Sequence, residues 1–396
     1  MALRYAQQYN FKGKKALIRV DFNVPMDADR QVIDDARIQG AMPTIRKVLA
    51  DGGAVVLMSH LGRPQQGYEE QYSLKHLLPC LQRALGSPVA FAPTCVGEDT
   101  AAQIQQLPLG KVLLLENVRF HAAEVAGEAA FAQALAAGTD VYVNDAFGTA
   151  HRAHASTAVV PRYFTDRLAG GLLQRELASA DRVLKSPSRP FTAIVGGAKI
   201  SDKILPLERL LNSVDRLLLG GGVANTFQQA LGGTLGASLV EHDQVALARR
   251  LAVQAQQQGI ELVLPQDVVI AKQVADSAAT AVVPGGSVPD GWMALDMGPE
   301  ARKEFATILQ ASATILWCGP IGVFEYPSFR QGTQAIAAAV AQATAQGAFS
   351  LIGGGDSGAA MQLLGYGDRV SHIATGGSAL LAYLGGTPLP GVQALL

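Results

Sequence analysis

Cysteine is scarce in this 396-residue chain: three residues, Cys80, Cys95 and Cys318, an odd number with no metal-ligand spacing. That count argues against a disulfide scaffold or a zinc site and fits a reducing cytoplasm. Charge of either sign is equally short. Charged residues make up 16% and the formal net charge is -1, so no basic field draws the chain to nucleic acid or to an acidic membrane. No run reaches the ~18 apolar residues that a bilayer span needs, and the opening MALRYAQQYNFKGKK has no apolar signal core. A cytoplasmic protein is the expectation. Low-complexity tracts and short-period repeats are missing too, as are a Walker A motif and the H-R-D of protein kinases.

What the chain does have is apolar residues, 49% of the total, in short runs separated by helical patterns. KKALIRVDFNV, AVVLMSH, SPVAFAP, KVLLLENV and VYVNDAF fill the first half; FTAIVGG, RLLLGGG, IELVLP, WMALDMG, TILWCGP, FSLIGGG and SHIATGG fill the second. Between them, sets such as Ile38, Met42, Ile45 and Leu49 step at three to four residues, one face of a helix. Continuous apolar strands alternating with helices predict parallel sheets covered on both faces. The length favours two domains. The prolines of LKSPSRP, Leu184 to Pro190, mark the boundary. The fold expected is α/β: two Rossmann-like three-layer α/β/α lobes with parallel sheets, joined by a hinge at 185–189. The lobes span 1–184 and 190–384.

Ligands of open α/β sheets bind beyond the carboxyl ends of the strands, so what the strands run into is informative. First-lobe strands run into Arg19-Val-Asp21-Phe-Asn23, His60-Leu-Gly-Arg63, Glu116-Asn-Val-Arg119-Phe-His121, and a loop with His151, Arg152 and His154. Each base alone reads as a surface residue. Together they would converge on one crevice, where guanidiniums repel unless an anion sits among them, and Arg forks match phosphate oxygens. Asp21 and Asn23 suit a hydroxyl and a carboxylate edge. A small phosphorylated acid is the expected occupant.

Second-lobe strands run into glycine: Gly196-Gly197, Gly220 to Gly222, Gly353 to Gly355, and Gly376-Gly377. One such turn means little; four at strand ends favour a nucleotide, whose phosphates can meet helix N-terminal amides. Lys199 and Lys203 come after the first pair, placed to face phosphates if a helix begins near Ser201. On spacing alone they are equally a solvated pair. Gly353 to Gly358 fits G-x-G-x-x-G, yet no acidic residue comes after Asp368 to bind a dinucleotide ribose. Asp356 inside the loop would repel a pyrophosphate unless Mg²⁺ stands between them. A Mg-nucleotide site fits better. Two other classes stay open on these residues: a nicotinamide dehydrogenase and a two-lobed binding protein without catalysis.

Nine motifs in order then identify a resemblance over essentially the full chain. They are RVDFNVP (19–25), DDARI (34–38), SHLGRP (59–64), LLLENVRFH (113–121), VNDAFGTAHRAHAS (143–156), VGGAKISDKI (195–204), GGGVANTF (220–227), GPIGVFE (319–325) and GGGDS (353–357). The chain resembles the phosphoglycerate kinases. That resemblance implies transfer of the acyl phosphate of 1,3-bisphosphoglycerate to Mg-ADP, giving 3-phosphoglycerate and ATP, reversibly. By motif match Asp21 and Asn23 take the glycerate end, and His60, Arg63, Arg119 and Arg152 the non-transferring phosphate. Arg37 lies beside the transferring one. Lys203 binds nucleotide phosphate, Glu325 the ribose, and Gly354, Gly355, Asp356 and Ser357 the phosphates, with Asp356 facing Mg²⁺. Lys199 travels with the moving group, whose oxygens Arg37 and the amides of Gly376 and Gly377 also stabilise. The resemblance further implies that the tail, 385–396, packs on the first lobe. Small-molecule substrates alone, with no nucleic acid or membrane, and a monomer are expected. Two departures stand out: Cys318 where the family has asparagine, and Ala374-Thr-Gly-Gly-Ser378-Ala-Leu380 where it reads S-T-G-G-G-A-S.

Overall fold

The computed structural model describes residues 2–65 and 67–396, apart from the side chain of Asp202. The chain divides into two compact units. The first runs to Ala178 and takes back Pro388–Leu396; the second is Ser179–Thr387. The division falls inside the helix Gly171–Lys185, ahead of the proline-rich stretch. Those prolines mark where that helix stops, whereas contacts change partners within it.

The first unit is built on six parallel strands: β1 (Lys15–Val20), β2 (Ala54–Met58), β3 (Val89–Ala92), β4 (Val112–Leu115), β5 (Val141–Asp145) and β6 (Arg167–Ala169), in the order β3-β4-β2-β1-β5-β6. β2, β4 and β5 are buried along their whole length, as strands covered on both faces must be. The core packs Ile18, Val20, Leu57, Leu114 and Val143 against Ile38, Met42 and Ile45 of the helix Ala36–Ala50. Fully burying such a side chain contributes about 1.5–3 kcal/mol. The tail is tied to the end of β5: Gly391 N donates to the Ala150 carbonyl at 2.9 Å, and Asn144 Nδ2 to the Gly391 carbonyl at 3.2 Å.

The second unit has its own six-stranded parallel sheet, ordered Glu261–Val263, Arg216–Leu219, Phe191–Val195, Thr314–Cys318, Phe349–Gly353, His372–Ile373. One sequence expectation fails here. The run WMALDMG is not in that sheet; Met293–Met297 pairs antiparallel with Asp267–Ala271 in a separate three-stranded sheet with Thr280–Pro284. A short apolar run specifies a strand but not the sheet it joins. No helix among the described residues is long and apolar enough to cross a membrane.

Candidate functional site

Strand register explains why residues far apart in sequence meet in the first unit. Val20 is level with Asp145 and Arg19 with Met58, so β1, β2 and β5 finish side by side. The loops leaving them carry Asp21, His60 and Arg152 to the same edge. Asp21 is buried and accepts from Arg37 Nη1 at 2.5 Å; its other oxygen lies 3.7 Å from His60 Nδ1. Asn23 Oδ1 accepts from Gly62 N at 2.8 Å, and Arg119 Nη1 donates to the Gly62 carbonyl at 2.7 Å, so both fix the turn just after His60. Arg152 Nε faces His151 Nε2 at 3.3 Å. Neither Arg119 nor Arg152 forms a salt bridge with any carboxylate among the described residues. Arg63 is exposed, and its side chain has no hydrogen bond or ion pair among the described residues to join it to this cluster.

One member was not assigned a role from the sequence. Arg19 is 1% exposed, with Nη2 3.4 Å from His60 Nδ1 and Nε donating to Ser156 Oγ at 2.7 Å. Ser156 in turn donates through Oγ to Glu124 Oε1 at 2.6 Å and through its amide to Oε2 at 2.8 Å. Glu124 is fully buried, so it answers the Arg19 charge through a hydroxyl. Nothing in the local pattern of RVDFNVP distinguishes an inward Arg19 from an outward one.

The imidazoles register the crowd of guanidiniums. Burial, with Arg19, Arg119, Arg37 and Arg152, holds His60 well below its ordinary pKa. Burial, then Arg119, Arg152 and Arg19, lowers His154 to about 4. Burial, with Arg152 and Arg19, brings even Arg119 down to about 10. Because His154 is depressed in the folded chain, the unfolded chain binds its proton first as pH falls. This group's contribution is therefore lost from about 6.5 down toward 4. An anion among the arginines would cancel the repulsion. Sulfate stays a dianion throughout this range, so saturating sulfate should raise the His154 midpoint measured by NMR. A midpoint that sulfate leaves in place would put the anion elsewhere.

In the second unit the four strands Arg216–Leu219, Phe191–Val195, Thr314–Cys318 and Phe349–Gly353 finish level, Leu219 beside Val195, Val195 beside Cys318, Cys318 beside Gly353. Their glycine turns therefore stack backbone on backbone. Gly319, at φ +96°, shows how closely: a Cβ there would lie 2.3 Å from the Gly196 carbonyl oxygen. Gly377 is similar, its Cβ position 2.8 Å from Gly354 Cα. The turns rim a cavity of about 1060 Å³, lined among others by Lys199, Lys203, Cys318, Gly354, Asp356 and Ser378. Helices Gly355–Leu363 and Gly377–Leu384 start at it, so their first amides lack helical acceptors there.

The predicted nucleotide residues are not all placed alike. Gly355, Asp356 and Ser357 join Lys199 and Lys203 on the cavity wall; Glu325 is exposed on the loop after Thr314–Cys318 and does not line it. Gly376 caps the helix Gly377–Leu384 from outside the lining set. Ser357 is fully buried, and its Oγ accepts from Gly319 N at 2.7 Å, so the hydroxyl holds a neighbouring turn. Lys203 lies in a 3-10 turn, Ser201–Lys203, ahead of the helix Ile204–Leu210, and Nζ donates to the Lys199 carbonyl at 3.2 Å. The departures from the family pattern also resolve. Leu380 is fully buried with its side chain 2.7 Å from a Gly353 Cβ position, so it packs beneath the turn, while Ser378 is exposed on the cavity wall. Cys318 is buried, which pushes its thiol up to about 12 and leaves it a neutral, weakly polar wall.

Among the described residues no three His, Cys, Asp or Glu side chains gather to hold a metal. Asp356 offers one exposed carboxylate at the first turn of a helix that faces the cavity. One carboxylate plus phosphate oxygens is what Mg²⁺ commonly takes, and waters complete its shell.

The family model described as phosphoglycerate kinase matches residues 6–387. A cytosolic phosphoglycerate kinase of Arabidopsis thaliana is 49% identical over 98% of this chain and 97% of its own length. That of Porphyromonas gingivalis is 45% identical, covering 98% and 99%. Among solved structures, phosphoglycerate kinase from Coxiella burnetii superposes with a TM-score of 0.89 at 37% identity, over 100% of this chain and 99% of its own. A dehydrogenase or a non-catalytic binding protein is thereby set aside. The chain belongs to the phosphoglycerate kinase family.

Proposed function

We propose that the first-unit cluster and the second-unit cavity are the two half-sites of the family's reaction. That reaction is the reversible transfer of the acyl phosphate of 1,3-bisphosphoglycerate to ADP, giving 3-phosphoglycerate and ATP. The observation that carries the assignment is Arg119 and Arg152, guanidiniums with no carboxylate partner among the described residues, beside imidazoles whose pKa is held low. They take the non-transferring phosphate with His60; Arg63 reaches it from the loop. Asp21 and Asn23 hold the glycerate end, and Arg37, anchored by Asp21, lies toward the transferring group.

In the second unit Lys203 and the amides of Gly354, Gly355 and Ser357 hold nucleotide phosphates, Glu325 the ribose, and Asp356 the Mg²⁺. The Asp356 carboxylate would hold the Mg²⁺ that accompanies the nucleotide, and the ion would supply neutralisation of phosphate charge there. No covalent intermediate is needed: the nucleotide oxygen attacks in line, and Arg37, Lys199 and the amides of Gly376 and Gly377 stabilise the equatorial oxygens. The setting is a cytoplasmic monomer serving glycolysis, gluconeogenesis or carbon fixation.

A coupled assay with 3-phosphoglycerate, ATP and Mg²⁺ tests the reading. Arg152→Ala should raise KM for 3-phosphoglycerate at least tenfold and lower kcat less, because that phosphate is bound alike before and during transfer. An unchanged KM would remove Arg152 from the phosphate site.

In-line transfer needs reacting atoms ~3–3.5 Å apart, with water excluded, so the units close around both substrates, about 185–189 and the chain near Gly385. Each ligand alone has little preference for the closed form and shifts it little. Small-angle scattering should show a smaller radius of gyration only with 3-phosphoglycerate and a non-reacting Mg-ATP analogue together. Equal radii in the apo, singly and doubly bound samples would refute closure.

A further inference from the structure

Lys199 and Lys203 flank a three-residue stretch, 200–202, whose backbone decides where both ammonium groups stand. Ile200 is buried, but Lys199 and Ser201 are exposed, so apolar packing anchors the stretch at one point only. The remaining restraint comes from a residue 40 positions away. One Glu241 oxygen accepts from the amides of Ile200 and Ser201, the latter at 3.2 Å, and the other accepts from Ser201 Oγ at 2.6 Å. Glu241 is itself fixed to a glycine turn. Its amide donates to Thr226 Oγ1 at 3.2 Å, and that fully buried hydroxyl donates to the Gly222 carbonyl at 2.9 Å. Just before it, the Leu239 carbonyl accepts from Asn225 Nδ2 at 3.2 Å. Thr226 and Asn225 both belong to the helix Gly221–Ala230. A continuous chain of hydrogen bonds therefore runs from the glycine turn to the lysine stretch.

The carboxylate makes no salt bridge with Lys199 or Lys203, although it stands beside the stretch that carries them. Both its oxygens are committed to the amides and hydroxyl of Ile200 and Ser201. The lysine charge is thus left for an anion. Hydrogen bonds from amides to a carboxylate are stronger than neutral ones, so one side chain can hold a surface stretch that the core does not.

We propose that Glu241 is a positioning residue for phosphoryl transfer: it locks the Ile200-Ser201 turn onto the helix Gly221–Ala230 and so fixes Lys199 and Lys203 against the nucleotide phosphates. This rests on the reading of those lysines given above. Glu241 touches neither substrate and acts only through the turn.

A double-mutant cycle with kinetics in both substrates tests it. Glu241→Ala should lower kcat about tenfold and raise KM for Mg-ATP several-fold, with KM for 3-phosphoglycerate unchanged. Glu241→Gln, which keeps an accepting oxygen, should recover part of the loss. In a Lys199→Ala background, Glu241→Ala should lower kcat less than twofold further, because residues acting as one unit are not additive. Multiplying losses would overturn the proposal, as would a normal kcat and KM in Glu241→Ala. If Glu241→Ala fails to fold, Glu241→Gln and Ser201→Ala carry the same cycle. Lys199→Ala with normal kcat would instead sink the reading of the lysines, and the proposal with it. An impaired Lys199→Ala with additive losses would sink the Glu241 role alone.

Discussion

Lys199→Ala should lower kcat about a hundredfold while KM for either substrate changes little. The Lys199 side chain is exposed on the cavity wall and has no hydrogen bond or ion pair among the described residues, so its loss breaks no structural contact. A surface change of that kind is worth about 0.5 kcal/mol of stability or less. In the role proposed for it the ammonium would meet charge that spreads over the phosphoryl oxygens during transfer, and removing one such donor typically costs about 3 kcal/mol in the transition state. Steady-state kinetics, with a melting curve to exclude unfolding, decides the matter. A normal kcat with raised KM for nucleotide would make Lys199 a ground-state clamp, not a participant in transfer.

Gly319→Ala should be as damaging, for a different reason. Gly319 sits where three turns meet: its amide donates to Ser357 Oγ at 2.7 Å, and the flanking carbonyls of Cys318 and Pro320 accept from Gly196 N at 2.9 Å and Gly197 N at 2.7 Å. A methyl group there must displace the Gly196 backbone, which has no flexible side chain to yield. A left-handed backbone costs about 1–2 kcal/mol for a non-glycine residue, and forced overpacking typically about 1–3 kcal/mol more. The melting temperature should fall by roughly 5–15 °C, and Mg-ADP affinity by more than tenfold as the Lys199 and Ser357 turns separate. Gly347→Ala is the control: φ there is +103°, with nothing within 4 Å of its Cβ position, so only the backbone strain remains. If the two variants melt alike and bind ADP alike, contact between the turns is not what shapes the cavity.

Much of this was legible in the sequence. Alternating apolar runs and helical faces specify parallel sheets because burial on both faces demands continuous apolar strands. Residues just past a strand then lie near its carboxyl end, so Asp21, His60, Arg119 and Arg152, or the glycines at 196, 220, 353 and 376, are grouped by chain position alone. The motif order over the full chain specifies the family as well. Other features only the tertiary structure decided, since each depends on residues distant along the chain. Arg19 and Ser156 meet from 137 positions apart, and a strand residue's burial depends on what covers it. Leu380 packs under Gly353 because its helix turns that face inward. The strand Met293–Met297 reads like its neighbours yet joins another sheet, for pairing is a property of two segments and not of one. Glu241 carries no local signal, because the amides it holds belong to a turn 40 residues earlier. Local chemistry names the strand ends; only packing decides which side chains hold them in place.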